Sequence, residues 1–196
     1  MIKMNEPFVS LIIPSYNGKE LSIKLLESLK KTRYKNYEVV LVDNGSVDDT
    51  YEYVRRHYPY VKSLKIKKNR GFAGGMNFGI KHSRGDYIVV MNNDMTFDPN
   101  WLVELVKVAE SDKNLGIVGS AYTEKNIDFV RFGYVESGNI LLNFKPVDIA
   151  KGEHKNFSPV INVDNTFGLT RRELLNKIGL FDEKFFIYWE EVDLCY

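Results

Sequence analysis

Short apolar runs alternate with helical patterns through the first two thirds of the chain, the arrangement of consecutive β-α units and of a mainly parallel sheet. Residues 8–14, FVSLIIP, predict a first strand. Residues 20–32 predict a helix with Leu21, Leu25, Leu26 and Leu29 on one face. YEVVLVD (37–43) is the second strand, and Asp48 and Asp49 suit the start of a helix that runs to His57, because carboxylates complement the positive end of the helix dipole. VKSLKI (61–66) is the third strand, and a glycine-rich helix start leads into a fourth, where five of the six residues from Tyr87 to Asn92 are apolar. Asp98 and Pro99 read as a cap and first turn opening a helix to Glu110, and LGIVGSAY (115–122) returns to the sheet.

After Ala121 the pattern becomes alternating and turn-broken, in FVRFGYVES, NILLNFKP and PVINVDNTFGL. These segments predict antiparallel strands or extended loops added to a parallel core. No linker divides the chain, so a single domain over 1–196 is expected, with a first half at 1–121 and a second at 122–196.

In an open parallel sheet ligands bind beyond the carboxyl ends of the strands. Here those positions read PSYNG (14–18), DNGSVDD (43–49), NRGFAGGMN (69–77) and NND (92–94). Each alone is what turns are made of. All four together fit a nucleotide pocket, in which Tyr16 stacks on a base and Asp43 and Asn44 bond its polar edge. The glycines at 71, 74, 75 and 79 do not match the dinucleotide fingerprint, which follows a first strand with different spacing, and no P-loop is present. They suit close approach of a helix start to a ligand or, equally, tight packing of helix on sheet. Asn92, Asn93 and Asp94 offer hard oxygen ligands to Mg²⁺ or Mn²⁺, ions that complete their shell with water and phosphate; a simple turn is the competing explanation.

Composition narrows the choice. The 196 residues are 44% hydrophobic, enough for a packed core, and the net charge of +1 gives no bulk attraction to nucleic acid. The basic stretch Lys62, Lys65, Lys67, Lys68, Arg70 reads as a solvent-facing edge strand and loop. A lone cysteine, Cys195, read as buried and inert, and three scattered histidines exclude an internal disulfide and argue against a zinc site. No apolar run approaches the roughly 20 residues that span a bilayer. The chain stops amid a dense acidic and aromatic motif, which predicts a parent protein that continues past Tyr196.

VSLIIPSYNG, VVLVDNGSVDDT, NRGFAGGMNFGI, GDYIVVMNNDMTF and GLFDEKFFIYWEEVDLCY together resemble, in order and spacing, the family 2 glycosyltransferases of the GT-A fold, and within them the rhamnosyltransferase-like enzymes of surface polysaccharide assembly. The resemblance runs from Val9 to Tyr196 and is weakest between Tyr122 and Val160. It implies an inverting transfer from a nucleotide-diphosphate sugar (dTDP- or UDP-linked) to a glycan or lipid-linked acceptor, with Mn²⁺ or Mg²⁺ on the diphosphate. It implies a cytoplasmic enzyme, associated with the inner face of the membrane through sequence beyond this chain. Carried over by residue, Pro14, Tyr16, Asn17, Asp43, Asn44, Asn69, Gly71, Asn77 and Asn93 border the donor. Asp94 matches the last carboxylate of the family's D-x-D metal motif, while Asn92 stands where its first Asp often is.

Glu190 and Glu191 match the family's E-D pair, whose second member deprotonates the acceptor hydroxyl. Glu191 is thus the candidate base, with Glu190 and Asp193 in reserve. Asp182 is expected to touch the acceptor or hold its loop, and Trp189 lies on the same side. Phe185, Phe186 and Tyr188 suit a sugar-stacking surface, although core packing is the commoner use for at least two of them. Without the resemblance, the last motif reads as an amphipathic helix start with Trp189 and Val192 inward. Two rivals remain: a nucleotidyltransferase, disfavoured because PSYNGKE has one glycine and no arginine, and a donor-binding module without turnover.

Overall fold

The computed structural model describes residues 6–119, 134–136 and 168–195. Among the described residues six helices flank a seven-stranded sheet of order β3-β2-β1-β4-β7-β5-β6. The strands are β1 (Val9–Ser15), β2 (Tyr37–Asn44), β3 (Val61–Ile66), β4 (Tyr87–Val90), β5 (Leu115–Val118), β6 (Tyr134–Glu136) and β7 (Leu169–Arg171); the helices are α1 (Lys19–Leu29), α2 (Thr50–His57), α3 (Gly71–Lys81), α4 (Trp101–Ser111), α5 (Arg172–Ile178) and α6 (Glu190–Cys195).

The first four strands are parallel, as the β-α alternation requires. β7 enters antiparallel between β4 and β5, and β6 pairs antiparallel with β5. The expected antiparallel additions are therefore present at 134–136 and 169–171; NILLNFKP and most of PVINVDNTFGL lie outside the described residues.

Alternation along the strands splits the core into two layers. Val9, Leu11 and Ile13 of β1 pack with Leu25, Leu26 and Leu29 of α1 and Leu102 and Val106 of α4. Ile12, with Val40, Val42, Ile88 and Val90, packs with Met76 and Ile80 of α3 and with Leu175 and Phe181. Each such leucine or isoleucine contributes about 1.5–3 kcal/mol through burial. Gly79 is where α3 comes closest to the sheet: a Cβ there would meet methyl groups of Ile12 and Val42.

Most boundaries fall within one or two residues of the sequence reading, and the differences that matter are these. α1 ends at Leu29, and Leu21 is 41% exposed while Ser22 is buried in its place. The hydroxyls of Ser22 and Ser15 bond at 2.9 Å, so a polar pair occupies the inward position assigned to a leucine. α4 opens at Trp101, not Asp98, because the Asp98 carboxylate accepts from the Asn100 N–H (2.8 Å) in a turn that precedes the helix. β4 stops at Val90, and β5 at Val118.

Arg171 and Arg172 hold the second half against the first. The Arg171 guanidinium donates to the carbonyls of Leu115 and Ala109, and that of Arg172 to Gly85 O and Ser83 Oγ. Among the described residues no helix is long and apolar enough to cross a membrane.

Candidate functional site

The loops after β1, β2, β3 and β4 meet at one end of the sheet. Asn17, with φ +50°, accepts from Val47 N–H at its Oδ1 (2.9 Å) while its own N–H donates to Ser46 Oγ (3.0 Å). The loops after β1 and β2 are thereby fastened together, with Tyr16 51% exposed beside them. The Lys19 ammonium reinforces the join by contacting both carboxylate oxygens of Asp49 at 2.9 and 2.8 Å. Pro14 is buried and lies against Gly75 of α3.

Asp43 is fully buried at the end of β2. One carboxylate oxygen accepts from Ser46 N–H (2.9 Å); the other, Oδ2, has no hydrogen-bond partner and lies 3.9 Å from Lys65 Nζ. A buried oxygen that accepts no hydrogen bond is costly even with a cation at ion-pair distance, which marks it as an acceptor open to a donor.

Asn44 faces the other way. Its amide donates to Asn69 Oδ1 (3.1 Å) and Gly71 O (2.8 Å), and its Oδ1 accepts from Arg70 N–H (3.1 Å). Asn69 Oδ1 also accepts from Gly71 N–H (2.8 Å). Asn44 and Asn69 therefore shape the turn into α3, where Gly71 has φ +73° and a Cβ would strike the Phe186 carbonyl. Of the two roles the glycine run suggested, close packing holds at Gly75 and Gly79, and Gly71 admits a backbone approach from a loop of this chain.

At the end of β4 the three residues of NND diverge. Asn93 Nδ2 reaches Ser15 Oγ (3.2 Å) and Ser22 Oγ (3.5 Å), and it fills the space over Gly18. Asn92 is half-buried, and Asp94 is exposed with no hydrogen bond or ion pair among the described residues. No cluster of three or more His, Cys, Asp or Glu suited to a metal exists among the described residues. The Asp94 carboxylate thus fits a hard divalent ion only in the mode where substrate phosphate and water supply most of the shell.

The segment 181–190 closes the site from the far side. Asn77 of α3 is buried and bonds Phe181 in both directions, and its Nδ2 also reaches Glu183 Oε1 (3.2 Å). Arg70 donates to Glu183 Oε2 at 2.6 Å. Burial would raise the Glu183 pKa, but the bonds from Asn77 and Arg70 outweigh it and hold the group below its ordinary value. The Phe72 N–H donates to Phe186 O at 2.7 Å. Asp182 accepts from Lys184 N–H (2.9 Å) within its own loop. The sequence reading named neither Glu183 nor Arg70 for the site; their partners lie more than 100 residues apart in the chain.

Phe186, Tyr188 and Trp189 are 55%, 71% and 67% exposed, so core packing is not their role, nor does Trp189 turn inward; Phe185 is half-buried. Tyr188 and Trp189 sit in the left-handed region, φ +71° and +72°. That strained turn delivers Glu190 into the protein: it is 4% exposed, and its Oε2 has no partner among the described residues. Burial, followed by the neighbouring Glu191, raises its pKa. Glu191 is half-buried and has no partner among the described residues, and Asp193 is exposed. The side chains of Val192 and Cys195 lie outside the described residues.

The model of the family described as "Glycosyl transferase family 2" matches residues 10–179. An uncharacterised glycosyltransferase of Rickettsia typhi is 28% identical over 197 residues, covering 97% of this chain and 58% of that protein. Among solved structures, a mannosyltransferase from Pyrobaculum calidifontis in complex with GDP-Man and Mn²⁺ aligns with a TM-score of 0.69 at 20% identity, over 97% of this chain and 51% of that one. TarS of S. aureus (residues 1–349) in complex with UDP aligns with a TM-score of 0.68 at 19% identity, over 96% and 54%. The fold is the one these structures share. The chain spans less than two thirds of the length of the curated relatives it matches.

Proposed function

This chain belongs to glycosyl transferase family 2, and from that premise we propose that it moves a sugar from a nucleotide-diphosphate donor to a hydroxyl of a glycan or lipid-linked acceptor, with inversion at the anomeric carbon. The observation that carries the reading is the placement of Asp94: an exposed carboxylate without a partner among the described residues, just past the end of a central strand and next to Asn93, which bonds Ser15 at the end of β1. The nucleotide lies along the loops after β1, β2 and β3, with its base against the exposed Tyr16 ring and a base N–H donating to Asp43 Oδ2, which accepts no hydrogen bond among the described residues. Residues 1–121 form the donor half and 122–196 the acceptor half.

Asp94 would hold Mn²⁺ or Mg²⁺, and the bound ion would supply positive charge to offset the charge that develops on the departing diphosphate. Glu191 accepts the acceptor's hydroxyl proton as that oxygen bonds the anomeric carbon and the bond from carbon to diphosphate oxygen breaks. Attack opposite the leaving group gives inversion. Tyr188 and Trp189 form an aromatic rim for the acceptor sugar. The reading extends to a cytoplasmic enzyme of surface polysaccharide assembly, and the motifs favour a rhamnosyl or hexosyl donor on dTDP or UDP.

The test is calorimetry with UDP, dTDP and GDP, with and without Mn²⁺, on the native chain and Asp94→Ala. Metal-dependent diphosphate binding that disappears in the variant supports the proposal. Preference for a nucleoside triphosphate, or binding indifferent to both metal and Asp94, overturns it. Intact donor binding without turnover in the native chain would leave the donor-binding module as the better reading.

A further inference from the structure

Residues 53–85 carry nine Lys and Arg side chains and no Asp or Glu. The rest of the chain carries 18 basic and 26 acidic side chains, so a net charge of +1 conceals two regions of opposite sign. The fold gathers the basic one at a single border. β3 is the outermost strand; α2 packs on it and ends in Arg55, Arg56 and His57, and α3 ends in Lys81. Lys62 and Lys65 leave β3 toward opposite faces, one donating to His82 O at the end of α3 and the other to Glu52 on α2. Lys67 and Lys68 are exposed just past the strand.

Three of the nine cations are neutralised: Lys65 by Glu52 (3.0 Å), Arg70 by Glu183 (2.6 Å) and Arg84 by Glu38 (4.0 Å). Arg55, Arg56, Lys62, Lys67, Lys68 and Lys81 have no carboxylate at ion-pair distance among the described residues. Guarding an edge strand against unwanted pairing requires only the lysines on the strand itself. Arg55, Arg56 and Lys81 lie in the last turns of α2 and α3, where they complement the helix dipoles, and they extend the positive border beyond the strand itself.

We propose that this border is a docking surface for a membrane rich in anionic phospholipid. The cations diverge over a strand edge roughly 20 Å long and two helix ends, which matches charge spread over a plane and not a compact phosphate, whose capture needs convergent donors. Tyr60, 49% exposed at the foot of β3, supplies the amphipathic ring favoured at a lipid headgroup layer. The border runs up to the Asn69–Gly71 turn at the rim of the candidate site, so docking there would hold that rim near the membrane. Docking at this border is independent of transferase activity and involves described residues alone.

The test is co-sedimentation with vesicles of phosphatidylcholine alone or with roughly 30% phosphatidylglycerol. The native chain should bind the anionic vesicles selectively and lose them at high salt, where screening acts within a few ångströms. Each cation removed should weaken partitioning roughly fivefold, so Arg55→Gln/Arg56→Gln/Lys67→Gln/Lys68→Gln should lose about 100-fold or more. All four are exposed, so the fold should persist, checked by thermal unfolding. Lys30→Gln/Lys31→Gln/Lys107→Gln/Lys113→Gln removes the same charge elsewhere and should retain binding. Equal binding to both vesicle types, equal loss in the two variants, or tighter binding to a single-stranded polynucleotide than to the vesicles would overturn the proposal.

Discussion

Asn77 and Phe181, 104 residues apart, hydrogen-bond in both directions: the Asn77 amide donates to Phe181 O at 2.8 Å and Phe181 N–H donates to Asn77 Oδ1 at 3.1 Å. The pair joins α3 to the segment that carries Glu190 and Glu191. Asn77→Ala leaves a buried N–H and C=O of Phe181 without partners, and the expected loss is about 2–4 kcal/mol in urea unfolding. A loss below about 0.5 kcal/mol would mean that water replaces the bridge and that the two halves are not coupled through it.

Gly71 and Gly79 sit on the same helix for different reasons, and their alanine variants should separate. Gly79→Ala presses a methyl into Ile12 and Val42 and should cost about 1–3 kcal/mol through overpacking alone. Gly71→Ala combines φ +73° with a collision against Phe186 O, so it should also release the Phe72 N–H from that carbonyl. Hydrogen exchange at Phe72 reads the difference: protection falls in Gly71→Ala and is retained in Gly79→Ala. Retention in both would place the strain elsewhere.

The left-handed Tyr188 and Trp189 are the least comfortable backbone in the described chain. Such a conformation costs a bulky residue about 1–2 kcal/mol, part of which glycine regains in exchange for unfolded-state entropy. Tyr188→Gly should therefore unfold no earlier than the native chain, and up to about 1 kcal/mol later, while transfer falls with the aromatic rim. Clear destabilisation would show that the exposed ring has packing partners in solution.

The parallel core was legible because it rests on local signals, strand-length apolar runs and leucines at helical spacing, and the four strand ends were legible because polar turns at one edge of such a sheet can only converge. The insertion of β7 between β4 and β5 was not, since three residues, Leu169 to Arg171, carry no order of strands. The inward Ser22 escaped for a related reason: its partner Ser15 lies on another element, and periodicity alone favoured Leu21. The motif residues Asn44, Asn69 and Asn77 read as ligand contacts, yet their amides bind neighbouring loops; a pattern of residue types names the site but not which atoms remain free for it. Arg70 and Glu183 were invisible because a pairing across more than 100 residues leaves no trace in spacing.

Glu183 and Glu190 should respond to pH with opposite sign. The Glu183 pKa is lowered on folding, so its contribution to stability is present above the unfolded value near 4.5 and is lost as pH falls through the lower folded value. The Glu190 pKa is raised, so the folded state holds its proton more tightly than the unfolded state does. Stability from that group is present below 4.5 and is lost as pH rises through the folded value. Glu190→Gln removes a buried charge and should raise Tm at pH 7, with the gain shrinking toward zero at pH 4.5 and below. Glu183→Gln should lower Tm at pH 7, and its deficit should close in acid. Thermal unfolding of both variants and the native chain from pH 4 to 8 checks the pair. If Glu190→Gln is less stable at pH 7, the carboxylate is held by a charge partner and not by burial, and its place beside Glu191 must be reassigned; if Tm rises as expected while donor hydrolysis and transfer persist in Glu190→Gln and stop in Glu191→Gln, the proton acceptor is the second of the two.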